Sequence, residues 1–119
     1  MDSENLQNMK VYIASPYTKG DVGENVNTQL RMFNMLAEFG FTPYAPLWAH
    51  FQHVAFPRDY EFWLDYDLEW LRVCDCVLRL AGESTGADRE VAEAQSLGIP
   101  VFYNFKQLSE YYDKINSNG

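Results

Sequence analysis

Two carboxylates are singled out in this chain by their neighbours. Glu90 closes the segment Ser84-Thr85-Gly86-Ala87-Asp88-Arg89-Glu90, on the face of a short expected helix that also carries Ala87 and Ala94. Small side chains there leave room for a ligand. Asp67 falls on an apolar helical stripe, four residues after Trp63 and four before Leu71. A carboxylate buried without partners is costly, so Asp67 belongs either in a hydrogen-bonded setting or at the rim of a site. Tyr12 and Ser15 lie at the end of one apolar strand, and Ser84 and Glu90 follow the end of another. Such parts suit attack at a sugar carbon: a carboxylate can attack or stabilise an anomeric carbon, while hydroxyl and N–H groups position a sugar or phosphate. Plainer accounts compete. A glutamate in a first helical turn complements the helix dipole, the stripe can end short of Asp67, and Ser84, Thr85 or Asp88 can cap the helix. The same parts would also serve a phosphate-binding switch domain.

The elements that must position these residues form a βαβ unit at the centre of the chain. Asp75 to Leu80 is a nearly all-apolar strand interrupted by Arg79, as a strand buried on both faces requires. A glycine- and hydroxyl-rich turn follows, with Gly86 permitting a tight turn and leaving N–H groups uncovered for an anion. A helix, the link Gly98-Ile99-Pro100 and a strand over Pro100 to Tyr103 complete the unit. Ligands of such sheets bind at the carboxyl ends of the strands.

Upstream, residues 1 to 8 read as a frayed terminus and Met9 to Ser15 as the first strand, with a turn-rich loop to Asp21. The helical spacing of Val26, Leu30, Phe33, Leu36 and Phe39 predicts a helix from about Glu24, stopped by Gly40. Phe41 to Ala45 is a short strand whose Pro43 puts it towards an edge. Pro46 to Pro57 shows no period and is rich in rings, including Trp48, His50, Phe51 and His53. Those rings either pack over the sheet edge or line a pocket for a flat ring such as a nucleobase. A helix over Arg58 or Asp59 to Arg72, a terminal helix over Phe105 to Ile115 and a polar tail over Asn116 to Gly119 complete the reading. Cys74 and Cys76, two apart in a strand, read as buried free thiols on one face.

With 119 residues, 47% of them hydrophobic and 22% charged, the chain reads as one folded domain rather than a disordered segment. A formal net charge of -8 disfavours wrapping a nucleic-acid polymer but not holding a single nucleotide. No apolar run approaches the roughly 20 residues of a membrane span, and no signal pattern opens the chain, so the expectation is a cytoplasmic protein. His50 and His53 are too few to complete a metal site with the cysteines, and no metal is expected.

The opening Val-Tyr-Ile-Ala-Ser-Pro-Tyr, the Asp67-to-Asp75 segment leading into an apolar strand, and Ser-x-Gly-x-x-x-Glu before a Gly-x-Pro-Val strand resemble the nucleoside 2-deoxyribosyltransferase-like superfamily. That superfamily includes the deoxynucleoside 5′-monophosphate N-glycosidases. The resemblance covers Lys10 to about Tyr103. It implies that Glu90 is the nucleophile forming a glycosyl-enzyme with C1′ of a 2-deoxyribose, that Asp67 acts near the leaving base, and that Tyr12 contacts the reacting centre. Ser84 matches the serine that helps hold the 5′-phosphate in the monophosphate hydrolases; the transferases carry an aspartate there, which would repel a phosphate. Ser15 and Lys19 of the first loop could add to that subsite, although Pro-Tyr-Thr-Lys-Gly differs from the arginine- and glycine-rich loop of the hydrolases.

The resulting expectation is a single domain with its core over about 9–115. It is a small open α/β fold of the three-layer Rossmann/flavodoxin-like kind, with a mostly parallel sheet of four or five strands. The expected activity is hydrolysis of the N-glycosidic bond of a 2-deoxynucleoside 5′-monophosphate with no cofactor. Catalysis falls to Glu90, Asp67 and Tyr12, and binding to Ser15, Lys19, Ser84, Gly86, Trp48 and His50. The alternatives are deoxyribosyl transfer, cleavage of a ribonucleotide, a nucleotide-binding or sensing module without turnover, and a scaffold whose function is its oligomer surface. A small nucleotide or nucleoside is the expected partner, and the resemblance implies a homodimer or larger homo-oligomer.

Overall fold

The computed structural model describes residues 8–118, with side chains over 8–115. The expected frayed terminus therefore lies almost wholly outside the described residues. Strand β1 (Lys10–Ala14) is followed by helix α1 (Val22–Glu38), β2 (Thr42–Tyr44), a 3-10 turn (Pro46–Trp48) and the short helix α2 (Ala49–Ala55). Then come α3 (Tyr60–Leu71), β3 (Cys76–Arg79), α4 (Thr85–Ser96), β4 (Val101–Phe102) and α5 (Phe105–Asn118). Among the described residues no helix is long and apolar enough to cross a membrane.

Every strand pairing is parallel, and the order across the sheet is β2-β1-β3-β4. Parallel strands need crossover helices, and those helices bury both sheet faces, which is why β1 and β3 read as continuous apolar runs. One face packs Val11, Ile13, Cys76 and Leu78 against α1 and α5 through Leu36 and Leu108. The opposite face packs Tyr12, Ala14 and Val77 against α3 and α4 through Leu71, Ala87 and Ala94. The chain steps outward from β1 to β2, then crosses back to place β3 on the other side of β1. The carboxyl ends of β1 and β3 therefore flank the reversal of strand order, where open α/β sheets leave a crevice. This is the expected Rossmann/flavodoxin-like architecture, with β2 and its Pro43 at the edge.

The helices start where side chains satisfy otherwise unpaired N–H groups. Asp21 accepts from the N–H of Glu24 at 2.9 Å and Asp59 from that of Phe62 at 2.8 Å. Gly40, at φ 95°, takes the left-handed conformation that ends α1. Three local expectations are corrected. Pro46 to Pro57 is largely helical rather than a loop; α2 buries none of its residues, so it carries no apolar stripe for a period to reveal. The expected polar tail from Asn116 is the last turn of α5, which runs to Asn118. Cys74 and Cys76 are free and buried as expected, but they face opposite layers, because Cys74 precedes β3 rather than alternating within it.

Gln29 of α1 is fully buried and joins three segments. Its Nε2 donates to the Ile13 carbonyl at 3.2 Å and to Ser15 Oγ at 2.8 Å, and its Oε1 accepts from the Leu47 N–H at 2.8 Å. Replacement by leucine leaves those groups buried and unpaired. Gln29→Leu is expected to destabilise the fold by about 2–4 kcal/mol in denaturant titration. A loss below about 1 kcal/mol would show that this junction does not hold β1 to the turn after β2.

Candidate active site

The switch between β1 and β3 opens into a cleft of about 330 Å³. The loop after β1 contributes Ser15, Tyr17 and Lys19 to its lining, α1 contributes Gln29, and the 3-10 turn contributes Leu47. Across from them stand Tyr60, Trp63 and Asp67 of α3, and Ser84, Gly86, Arg89 and Glu90 at the start of α4.

Ser84 caps α4, its Oγ accepting from the Ala87 N–H at 3.0 Å. The helix therefore begins at Thr85, and Glu90 lies in its second turn, not its first; the first-turn acid is Asp88. Dipole complementarity thus accounts for Asp88 and not for Glu90, which is 7% exposed on the face it shares with Ala87 and Ala94. Tyr12, fully buried in β1, donates its hydroxyl to Glu90 Oε2 at 2.6 Å. Burial first, and then the neighbouring Glu90 carboxylate, hold that hydroxyl well above its ordinary value, so it remains a donor. The expected pair of Tyr12 and Glu90 is brought together across the sheet face.

Asp67 is also on the cleft wall, and its buried Oδ1 has no hydrogen-bond partner. Burial pushes its pKa up to about 7. Glu90 is pushed up to about 8, chiefly by burial, with the Asp67 charge adding to the rise and the Tyr12 hydrogen bond and Arg79 opposing it. Near neutral pH this buried pair therefore retains proton rather than carrying two full negative charges. Arg79 fixes the turn that delivers Glu90. Its guanidinium donates to the Leu80 carbonyl, to the Gly82 carbonyl at 2.8 Å and to Asp88 Oδ1 at 3.1 Å.

Hydroxyl groups and cations also line the cleft. Because Ser15 Oγ accepts from Gln29 and Ser84 Oγ accepts from Ala87, each hydroxyl keeps its own proton to donate. Lys19 reaches Glu83 at 3.4 Å, both side chains exposed, and Arg89 reaches Glu61 at 3.2 Å. The expectation that Gly86 makes the turn is corrected: Gly86 lies inside α4, and the left-handed residue is Gly82 at φ 122°, where a Cβ would come within 2.7 Å of Pro16. A Cβ on Gly86 would stand 3.5 Å from the Tyr60 hydroxyl, so glycine there widens the cleft.

Two sequence-predicted binding residues lie apart from this lining. Trp48 is 64% exposed and packs edge-on against Phe33, while His50 lines a smaller adjoining chamber with Tyr17, Leu47, His53, Trp63 and Asp67. Gln29, Tyr60, Trp63 and Arg89 were not singled out from sequence as site residues. Gln29 left a signal, a polar side chain three after Val26 and four before Phe33 on an apolar face; Arg79 left another, as the lone charge in an apolar strand. The thiols take no part: burial pushes Cys74 up to about 11 and Cys76 up to about 12, far from the thiolate at neutral pH.

Against known proteins, a family model described as "Domain of unknown function (DUF7768)" matches residues 9–104. Among curated proteins there is no match. A solved structure described as a 2-deoxyribosyltransferase from the psychrotolerant bacterium Bacillus psychrosaccharolyticus is similar at 24% identity and a TM-score of 0.57. The likeness covers 77% of this chain and 69% of that one, and at this identity it is one of fold.

The carboxyl cluster sets a stability profile. Asp67 and Glu90 have folded pKa values of about 7 and about 8 against ordinary values of 3.8 and 4.5. The folded state thus binds more protons than the unfolded one, and this contribution, complete below about pH 4, is lost as pH rises through about 7 to 8. Asp67→Asn should therefore stabilise the protein by about 1–3 kcal/mol at pH 9 and far less at pH 4. Thermal melts across that range check it, and an Asp67→Asn protein less stable than the parent at pH 9 would contradict a buried, partnerless carboxylate.

Proposed function

We propose that the chain, which belongs to the DUF7768 family, cleaves the N-glycosidic bond of a 2-deoxynucleoside 5′-monophosphate, with Glu90 as nucleophile and water as acceptor. The observation that carries this reading is Glu90 itself, a buried carboxylate oriented by Tyr12 at 2.6 Å and facing a cleft whose wall also holds the partnerless Asp67. Bond cleavage builds positive charge on the sugar ring, which a carboxylate beside C1′ stabilises and then captures. That charge favours the anion of Glu90, so the proton held by the pair moves to Asp67, within reach of the departing base. Asp67 gives that proton to the departing base, and its carboxylate then takes one from the water that attacks C1′ of the glycosyl-enzyme and releases Glu90. Tyr12 keeps one carboxylate oxygen hydrogen-bonded while the other bonds to carbon.

The 5′-phosphate is assigned to Ser15, Ser84, Lys19 and the first N–H groups of α4. The two hydroxyls accept from the protein and so have a proton to donate, the N–H groups of Thr85 and Gly86 precede the first intrahelical bond, from Asp88 to Ser84, and Lys19 adds charge. Deoxyribosyl transfer to a second base is the other reading, favoured by the description of the similar structure as a 2-deoxyribosyltransferase. The subunit assembly we propose is a homodimer or larger, joined through the outer face of α3, where Phe62, Tyr66 and Trp70 recur every fourth residue and stand 37%, 43% and 44% exposed.

Base release from deoxynucleoside and ribonucleoside monophosphates and nucleosides, with and without an added base, tests the chemistry. Release from deoxynucleoside monophosphates alone is expected, falling at least about 10³-fold in Glu90→Gln, whereas full activity in that variant would remove Glu90 from the reaction. Exchange that depends on the added base would make the protein a transferase. For the assembly, light scattering should find an oligomer that Tyr66→Glu converts to monomer; a monomeric parent protein would dismiss the α3 contact.

A further inference from the structure

Adjoining the cleft, with Asp67 lining both, is a chamber of about 70 Å³ bounded by Tyr17, Leu47, Ala49, His50, His53 and Trp63. We infer that this chamber is the nucleobase subsite and that it selects a pyrimidine, taken in by its C5–C6 edge. The inference rests on the proposed cleavage, because that reading places the leaving base at Asp67, which borders both spaces.

Size supports it first. A water-sized group needs roughly 10–15 Å³ of such space, so the chamber has room for about five to seven of them, enough for much of one ring and too little for a fused pair. The walls are braced against widening. The Tyr17 hydroxyl and His50 Nδ1 share a hydrogen bond of 2.7 Å, with their rings edge-to-face at 5.6 Å. The Trp63 Nε1–H donates to His53 Nδ1 at 2.8 Å, with those rings edge-to-face at 6.0 Å. The two braces stand on different elements, one tying the β1 loop to α2 and the other tying α2 to α3.

Polarity points the same way. The bracing hydrogen bonds engage the Trp63 N–H, the Tyr17 hydroxyl and Nδ1 of each histidine; Nε2 of each ring is left, yet the surface turned to the chamber is mainly carbon. The C5–C6 edge of a pyrimidine carries only carbon and asks for no donor. A purine entering by its imidazole edge brings the N7 acceptor, which meets little polar surface there to replace the water it loses. A buried acceptor left unpaired is a stronger ground for rejection than a surplus of apolar volume.

Calorimetry on Glu90→Gln protein, which binds without turnover, reads the selectivity with dTMP, dCMP, dAMP, dGMP and 2-deoxyribose 5-phosphate. The pyrimidine nucleotides should bind at least tenfold tighter than the purine nucleotides and than the sugar phosphate. Adding Ala49→Leu, which fills the chamber from the first residue of α2 with a good helix former, should lower pyrimidine affinity to that of the sugar phosphate while leaving the latter unchanged. Purines binding as tightly as pyrimidines, or an Ala49→Leu protein that still prefers pyrimidines, would overturn the inference. Should the double variant fail to bind the sugar phosphate, the comparison in Glu90→Gln alone decides. Sugar-phosphate binding without base preference defeats the chamber and spares the proposed cleavage; no binding of nucleotides or sugar phosphate defeats both.

Discussion

The hydrogen bond from Tyr12 to Glu90 ties β1, one of the two central strands of the sheet, to the helix that carries the cleft's carboxylate. A glutamate removed from water at this depth needs a compensating donor, and the tyrosine has no other place to spend its hydroxyl. Each group thereby justifies the burial of the other. The consequence reaches outward: Ala87 and Ala94 must be small for α4 to approach β1 closely enough, and Tyr12 must sit on the face of β1 that α3 and α4 cover.

Around that contact the protein places polar side chains where the backbone would otherwise fray. Gln29 closes the end of β1 against the turn that follows β2, and Arg79 closes the end of β3 against the turn that precedes α4. Both stand at the carboxyl ends of the two central strands, on either side of the topological switch. The crevice there is an inevitable product of the strand order, but its shape is not. It depends on loops whose carbonyl and N–H groups have been satisfied by buried amide and guanidinium groups, so that serine hydroxyls and the N-terminus of α4 remain for a ligand.

Asp67 is handled in the opposite way. It is buried on one oxygen and given no partner by the protein, which raises its pKa and leaves it protonated in part near neutrality. Glu90 has a donor and a cation in its surroundings, whereas Asp67 has neither among the causes of its shift. In the cleavage proposed above, these unlike settings would give Asp67 the part of acid and Glu90 that of nucleophile. Asp67 lines both the cleft and the ring-lined chamber, which in the proposed reaction puts it beside the bond that breaks.

Much of this was legible in the sequence. Apolar runs bounded by glycine and proline located the strands, helical spacing located α1 and α3, and the face shared by Ala87, Glu90 and Ala94 marked the carboxylate, because period and burial follow directly from side-chain pattern. The helical state of Pro46 to Pro57 was not legible, since a short helix that buries nothing leaves no period. Nor were the second-turn position of Glu90 or the opposite faces of Cys74 and Cys76, which turn on where an element begins, or the exclusion of Trp48 from the cleft, where the 3-10 turn lays the ring against Phe33. The sequence by itself determined which residues are apolar enough to build a parallel sheet and which polar ones interrupt it. Only the tertiary structure decided that Tyr12 and Glu90, 78 residues apart, meet at 2.6 Å, and that Gln29 and Arg79 support the site, because hydrogen bonds between distant segments follow from strand order and register and leave no local trace.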